Sequence, residues 1–477
     1  MNTNFPRLGM WWPDPETQAL QDIVRYDYVM LFPYQEEFVE PLKAIKPDLV
    51  LLNSANACEV SCEWDEEDVH ALPAAWFLTQ VGSEITQGIS ATSTTIHVAS
   101  LSVSDETTTH ALFVPGDTVL IEGESVVVKK VNRKDRTLVV ERGFIRPASA
   151  HAKGTRIAAH ITFWPGTWVM NLSNLSEKAT MDSTIGPERW GDYHARHDAK
   201  LVSNPHWDGL TIDRADPNQS WLVGGSTART LDPDQSNTLP ENYDAFDASW
   251  NQGLRAYESQ LRNAVGDDKI IYVNWGMNNH DLLNGNNFEG FPLAEGSSYR
   301  GGWSQTMFGP LANIGSYLEW TTQSRTPNFT TIQTYEDDGV PPPDDIHYDN
   351  PFAKPDFVPH YQKMRFGLGS ALLGDGFFSY EINTNGHGSL GLMWFDEYDN
   401  AGAGRGYLGQ PLGPAFRVGD KVLGDDLIAG GDFNTQKDLE QWDLSVEEQN
   451  EAHAQVVVQH GNTPRPSSSV QIDITKT

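Results

Sequence analysis

Acidic side chains close several short apolar runs, and paired carboxyl groups are the side chains best suited to breaking a glycosidic bond. Asp213 ends WDGLTID (residues 207–213), and Glu289 stands in NNFEGF (residues 286–291). Glu336 follows FTTIQTY (residues 329–335) with Asp337 and Asp338 behind it, and Glu381 follows GFFSY (residues 376–380). Such a bond yields when one carboxyl donates a proton to the leaving oxygen while another, ionised, attacks the anomeric carbon or activates water. The two groups need unlike surroundings. Arg214 beside Asp213 would lower its pKa and keep it charged, whereas Phe288, Gly290 and Phe291 around Glu289 would raise the other. This assigns Asp213 as nucleophile or base and Glu289 as general acid, with the carboxyl groups about 5–10 Å apart. Glu336 is the rival acid.

Residues that could hold a sugar gather near the same run ends. Trp11 and Trp12, Tyr34, and Trp275 offer aromatic faces on which the apolar face of a sugar ring stacks. Asn53, Asn274, Asp216 and Glu336 could hydrogen-bond its hydroxyls. Asp208 and His206, at the start of a run, read as structural, and Asp396, Glu397 and Asp399 read as peripheral.

These residues need a scaffold that brings run ends to one rim. Eight apolar runs serve: residues 7–12, 26–32, 48–53, 207–213, 269–275, 287–290, 329–335 and 376–380. Near-continuous apolar runs suit parallel strands buried on both faces. Helical patterns separate them over residues 14–23, 36–45, 188–202, 243–264, 307–323 and 357–373. Eight strand–helix units predict an α/β fold, a (β/α)8 TIM barrel, whose working residues lie at the C-terminal strand ends. The barrel is assigned to residues 1–80 and 160–418. Between them, residues 81–159 alternate apolar and polar (TTIHV, TVLI, SVVVKKV, TLVV) around glycine turns and read as an inserted small all-β module. Residues 425–477 open with a Gly-Asp-Phe (residues 431–433) followed by Trp442. They read as a partial jelly-roll, carbohydrate-binding-like module, a truncated C-terminal β segment too short for eight strands.

Composition narrows the partners. The 477 residues carry 33 basic and 65 acidic side chains, a formal charge of −32, which repels a phosphate backbone and argues against nucleic acid. No apolar stretch reaches the roughly 18 residues of a membrane span, so no membrane insertion is expected. The first residues lack a charged region followed by an apolar one. A polysaccharide or oligosaccharide partner favours a secreted or cell-surface location, with a cytoplasmic one left open. Cys58 and Cys62 read as ordinary small side chains, and no set of residues with zinc-ligand spacing accompanies them. GxSxG, GxxxxGK[ST] and HExxH are absent, and GAGRG (residues 402–406) follows no strand. No cofactor and no metal is expected, and nothing in the sequence sets the oligomeric state.

The combination WDGLTIDRAD, NNFEGF and RFGLGSALLGDGFFSYE…LMWFDEYD…LGQPLGPAF resembles a group of hypothetical glycoside hydrolases taken to be TIM barrels. The similarity spans residues 7–416 without the β insertion, and residues 365–416 carry its most specific part. It implies a carbohydrate-cleaving activity with Asp213 and Glu289 as the catalytic acids, and no defined substrate. The run VERGFIRPASAHAKGTRI (residues 140–157) resembles a small β module of phage tail proteins and some large secreted enzymes. Two rival readings follow. One is a non-catalytic carbohydrate-binding or phage-tail-like surface protein. The other is a barrel enzyme of another class, such as a lyase or deacetylase, with a metal at residues 336–338.

Overall fold

A computed structural model describes residues 5–62, 69, 71–143, 147–223, 228–291, 302–336, 357–383 and 386–413, and the backbone of residues 452–460 and 468–476. The chain divides into two compact units, Met1–Pro414 and Ala415–Thr477.

In the first unit eight strands lie side by side in chain order: β1 (Gly9–Trp11), β2 (Tyr28–Leu31), β3 (Val50–Asn56), β4 (Gly209–Asp213), β5 (Ile270–Asn274), β6 (Gly285–Phe288), β7 (Thr331–Tyr335) and β8 (Phe377–Glu381). Every pairing is parallel. A parallel bridge between Leu8 and Phe378, with the Phe378 amide donating to the Arg7 carbonyl, joins β8 to β1 and closes the (β/α)8 barrel.

Strand residues alternate between two separate apolar clusters, as the two-residue period of a strand requires. Met10, Val29, Leu51, Ile271 and Phe378 face out and pack under the helices. Trp11, Tyr28, Met30, Leu52, Tyr272, Phe329 and Phe377 face in. At the base the rings of Tyr28, Phe329 and Phe377 meet edge-on or stacked, with centroids 5.0–5.7 Å apart. The Tyr28 hydroxyl reaches Thr331 Oγ1 at 3.0 Å, so its polar end is satisfied inside the plug. Each such ring contributes about 2–3 kcal/mol by burial, and this apolar base lets the upper layer of the interior be polar. The plug needs room. A Cβ on Gly9 would fall 2.1 Å from the Tyr28 ring, and one on Gly285 would fall 2.4 Å from the Thr330 backbone nitrogen.

The helices fit the sequence pattern with two corrections. The longest, Tyr243–Val265, starts where the Asn242 side chain accepts from the Asp244 amide and stops at Gly266, with φ +81°. It buries Phe246, Trp250, Leu254, Tyr257 and Leu261 along one stripe. The single helix expected over residues 307–323 is two, Trp303–Phe308 and Tyr317–Gln323. Gly309 and Gly315, both at positive φ, and Pro310 end the first. Ser316 restarts the second by accepting from the Glu319 amide, while Glu319 accepts from the Ser316 amide. The helix expected over residues 14–23 shortens to Leu20–Ile23, because the Asp14 carboxylate instead ties a turn through the Glu16 amide and the Thr17 hydroxyl.

Within residues 81–159, six strands form one sheet, in the order Ser83–Glu84, Arg156–Ala159, Thr118–Ile121, Glu124–Asn132, Thr137–Glu141 and Thr95–His97. Val81, Ile85, Ile96, Val119, Ile121, Val126, Val128, Leu138 and Ile157 form their own core. In the second unit, Ala452–His460 and Ser468–Lys476 pair as an antiparallel hairpin. The Gly-Asp-Phe and Trp442 of the expected jelly-roll start lie outside the described residues.

The crowded base yields a paired prediction. Gly285→Ala should lower the thermal midpoint by several degrees or abolish soluble expression. Gly369→Ala, where a Cβ meets open space on the helix Tyr361–Ala371, should leave the midpoint unchanged or raise it, by up to about 1 kcal/mol of stability. Equal midpoints for the two variants would refute the packing account.

Candidate active site

Parallel strands end together, so their last residues share one mouth. Asp213 ends β4, Asn274 ends β5, Glu289 follows β6, Tyr335 ends β7, Glu381 ends β8 and Trp11 ends β1. One amide stands at the centre. Asn274 Nδ2 donates to Asp213 Oδ1 at 3.1 Å and to Glu289 Oε2 at 2.7 Å. Two oxygens on one donor nitrogen at those distances lie within about 6 Å of each other. The other Glu289 oxygen accepts from the Tyr335 hydroxyl at 2.8 Å.

The network continues round the barrel. Asn287 Nδ2 donates to Asn274 Oδ1 at 3.1 Å and to Gln333 Oε1 at 2.6 Å. Gln333 Nε2 donates to Glu381 Oε2 at 3.0 Å. Glu381 also accepts from the Trp11 amide at 3.1 Å, from Ser379 Oγ, and from His387 Nδ1 at 2.6 Å. A belt of side-chain hydrogen bonds thus runs from β4 to β8, and both amide protons of Asn274 and of Asn287 are committed within it.

Backbone geometry aims these groups. Trp12, Arg214 and Trp275, each directly after a strand, adopt left-handed conformations with φ of 44°, 53° and 46°, as does His387 at 46°. A non-glycine residue held there costs on the order of 1–3 kcal/mol, and such residues gather at functional sites.

The electrostatics reverse one expectation. Burial first, and the charge of Glu289 second, push the Asp213 carboxyl up to about 6, against the lowering pull of the Asn274 donor and of Arg214. Arg214 does not hold Asp213 low, because its guanidinium turns away to Asp216, Glu59 and Gln219 at 2.9–3.0 Å, over the Phe163 ring. Only its backbone amide serves Asp213, at 2.8 Å. The apolar neighbours expected to surround the Glu289 carboxyl do not. Phe288 and Phe291 are buried in the outer core, while both Glu289 oxygens accept from polar donors.

The remaining expected site residues divide. Asn274 lies at the centre. Trp12 is half-buried, donates to Ser54 Oγ at 3.0 Å and stacks on Phe32 at 4.7 Å. Tyr34 is 65% exposed and stacks on Phe32 at 5.3 Å. Trp11 and Trp275 are not open platforms: both are 1% exposed. Trp11 is covered by Trp12, Tyr272 and His387, and Trp275 donates to the Glu289 carbonyl at 3.2 Å, holding the backbone of that acid. Asn53 is buried and donates to the Leu201 carbonyl, and Asp216 is taken by Arg214, so neither reaches the mouth. Glu336 is buried, holding the His360 amide and the Tyr380 hydroxyl. Asp337 and Asp338 lie outside the described residues. Asp208 ties Lys43 to the Leu51 amide at the far end of the barrel. Sequence reasoning passed over Phe32, Asn287, Gln333 and His387, and placed Tyr335 and Glu381 at strand ends without giving them a role. All but His387 lie at a strand end or in a strand at an even offset from one, apart from Phe32, which lies one residue past β2.

Neither cysteine is bridged, and Cys58 is buried. Among the described residues, His194, His197 and Asp198 are close enough together to share a metal ion. Two are already committed: His194 Nε2 lies 2.7 Å from the Asn56 carbonyl, and Asp198 accepts from the Tyr257 hydroxyl at 2.6 Å. A cavity of about 460 Å³ is lined by Thr17, Gln18, Asp22, Arg25, Ser389 and Trp394 among others, and by neither central acid.

Residues 149–424, more than half of the chain, match the family model described as Hypothetical glycosyl hydrolase family 15. No curated protein matches the chain. Among solved structures, it is similar to the glycoside hydrolase domain of PelA from Pseudomonas aeruginosa, at 11% identity and a TM-score of 0.32, over 69% of this chain and 85% of that one. It is also similar to the chitinase domain of the spore coat protein CotE from Clostridium difficile, at 11% identity and a TM-score of 0.26, over 82% and 68%.

The shared amide can be tested directly. Asn274→Ala removes a donor that lowers the Asp213 pKa, so the Asp213 titration, followed by carboxyl 13C NMR, should move above about 6. An unmoved midpoint would show that the bridge does not couple the two acids.

Proposed function

The chain belongs to hypothetical glycosyl hydrolase family 15, and from that premise we propose that it cleaves a glycosidic bond in a polysaccharide or oligosaccharide with Asp213 and Glu289. The observation that carries this reading is the pair of carboxyl groups sharing Asn274 Nδ2 at the C-terminal mouth of the barrel.

The spacing favours double displacement. The facing oxygens, within about 6 Å, lie nearer the roughly 5–5.5 Å of double displacement than the roughly 6.5–9.5 Å gap that admits a water, and on that ground we propose retention. The roles follow from surroundings and reverse those read from sequence neighbours. Asp213, raised to about 6, keeps its proton in mildly acidic solution and serves as general acid. Glu289, an acceptor of two hydrogen bonds, is the nucleophile. In the first step a Glu289 oxygen bonds to the anomeric carbon, the glycosidic C–O bond breaks, and the Asp213 proton passes to the leaving oxygen. In the second, water attacks that carbon, gives its proton to the Asp213 carboxylate, and releases Glu289. The Trp12–Phe32–Tyr34 stack, with Tyr34 outermost, offers an aromatic edge along which further sugar units lie. A carbohydrate polymer as substrate suits a secreted or cell-surface protein, and among the described residues no helix is long and apolar enough to cross a membrane.

Reducing-end release from a polysaccharide panel should identify a substrate. On it, Asp213→Asn and Glu289→Gln should each lower kcat by about 10²–10⁴-fold or more, with folding intact by circular dichroism. Azide should rescue Glu289→Gly as a glycosyl azide, and proton NMR of the first product should show the retained anomer. Wild-type turnover in both acid variants, or an inverted product, would overturn the corresponding part of the proposal.

The pH dependence carries a sign. The general acid must be protonated, so kcat/KM should fall as pH rises through about 6. Stability follows the same group. A carboxyl whose folded pKa is raised stabilises fully below its unfolded value near 3.8, and that contribution is lost as pH rises through about 6. Asp213→Asn should therefore melt higher than wild type at pH 8, by on the order of 2 kcal/mol, and show no such advantage at pH 4. Parallel Tm-against-pH curves for the two proteins would contradict the assignment.

A further inference from the structure

A third acid and a histidine complete the floor of the mouth. Glu381 is fully enclosed and accepts from Gln333, Ser379, the Trp11 amide and His387. His387 is 2% exposed and locked on several sides. Its Nδ1 is held by Glu381 at 2.6 Å, and its ring stacks on Trp11 at 5.6 Å. Trp12 and Tyr335 meet it edge-on, at 4.5 and 5.7 Å. Its backbone is left-handed, at φ 46°.

The other ring nitrogen is left open. Among the described residues His387 Nε2 has no hydrogen-bond partner, and it is not among the sealed, unpartnered atoms that include Trp11 Nε1 and Asn287 Oδ1. The charged groups facing the ring are Glu381 from β8, Glu289 from the end of β6 and Asp213 from the end of β4. Burial opposes a charge on the imidazole, but the Glu381 hydrogen bond and charge, then Glu289 and Asp213, outweigh it and raise its pKa.

We propose that His387 is a substrate-binding residue: its ring, locked by Glu381, presents Nε2–H into the barrel mouth as a fixed donor to an acceptor oxygen of the sugar at the cleavage position. This rests on the glycosidase reading and deepens it. Glu289 supplies acceptors, which suit sugar hydroxyls as donors, and the Asp213 proton is spent on the leaving oxygen. The ring oxygen and any carbonyl or carboxylate substituent accept only, and they need a donor that the protein has not already used. His387 also stands where the aromatic stack begins, with Trp12 at its edge, then Phe32, then exposed Tyr34.

The test uses two independent readouts on the full chain. In 15N-histidine-labelled protein at about pH 6, below the ordinary histidine value, both His387 ring nitrogens should be protonated, and the Nε2 resonance should shift on adding oligosaccharides prepared from the polysaccharide panel. A neutral Nε2, or one indifferent to every oligosaccharide, would overturn the proposal. With the substrate found by reducing-end release, His387→Gln should raise KM about 10- to 100-fold, the worth of a hydrogen bond to a charged donor, and change kcat far less. An unchanged KM would overturn it too. Glu381→Gln should move the rise of KM with pH to lower pH, because the hydrogen bond and charge that raise the His387 pKa are gone. An Nε2 that responds to sugar while no reducing ends appear would defeat the hydrolase reading and leave His387 as a binding residue.

Discussion

Three carboxyl groups crowd one closed mouth, and everything above the apolar base of the barrel is arranged to supply them with donors. Taking a carboxylate out of water costs several kcal/mol unless hydrogen bonds replace the lost hydration. Two like charges within about 6 Å add repulsion that weakens slowly in a low-dielectric interior. The amide of Asn274 answers both demands, because its two protons point at Asp213 and Glu289 from between them. That orientation is fixed in turn, since its oxygen accepts from Asn287, whose second proton goes to Gln333. Reversing any one amide would set oxygen against oxygen or nitrogen against nitrogen at its contacts. The belt therefore has one sense, running from the acids to Glu381, and it holds the carboxyl groups at a spacing that no single residue sets.

The same demand explains the irregular backbone at the strand ends. If β4 simply continued, the Arg214 side chain would follow the strand alternation outward among the helices, with no route back to Asp213 except through its amide. The left-handed turn at φ 53° instead sets that amide on Asp213 Oδ1 and sends the guanidinium to Glu59, Asp216 and Gln219. Trp275 does the equivalent after β5, donating its indole N–H to the Glu289 carbonyl. The strain at these residues is offset by the hydrogen bonds it makes available, and their side chains become struts for the neighbouring acid rather than surfaces for a ligand.

Much of this was legible in the residues. The eight strands stood out because parallel barrel strands are covered on both faces, so runs such as YVML and IIYVN are nearly unbroken. Asp213, Asn274 and Glu289 followed from the rule that barrel chemistry sits at C-terminal strand ends. The polar belt did not, because Asn287 and Gln333 are single polar residues inside runs that read as core. Their partners lie 13 and 48 residues away. Trp11 and Trp275 misled for a related reason: an aromatic at a strand end reads as rim, yet the closed mouth packs His387 and Tyr272 over one and Phe288 under the other. Helix continuity across residues 307–323 failed where Gly309, Pro310 and Gly315 outweighed the apolar period.

The acid and base roles show why sequence neighbours are poor guides to a strand residue's environment. Residues i and i+1 of a strand point to opposite faces. Phe288 next to Glu289 therefore reports the outer core, while the carboxyl of Glu289 meets Tyr335, Asn274 and the charge of Asp213 across the interior. Arg214 next to Asp213 likewise spends its charge on Glu59 and Asp216. The residues that decide protonation lie on adjacent strands at the same height, at Asn274 and Asn287, or two residues further up. In a closed parallel barrel that height is set by strand register. Moving Asn274 by one residue along β5 would turn its amide out of the interior and leave two unscreened acids in the mouth. The registers of β4, β5 and β6 thus do more than the acids' own flanking residues to decide which carboxyl carries the proton.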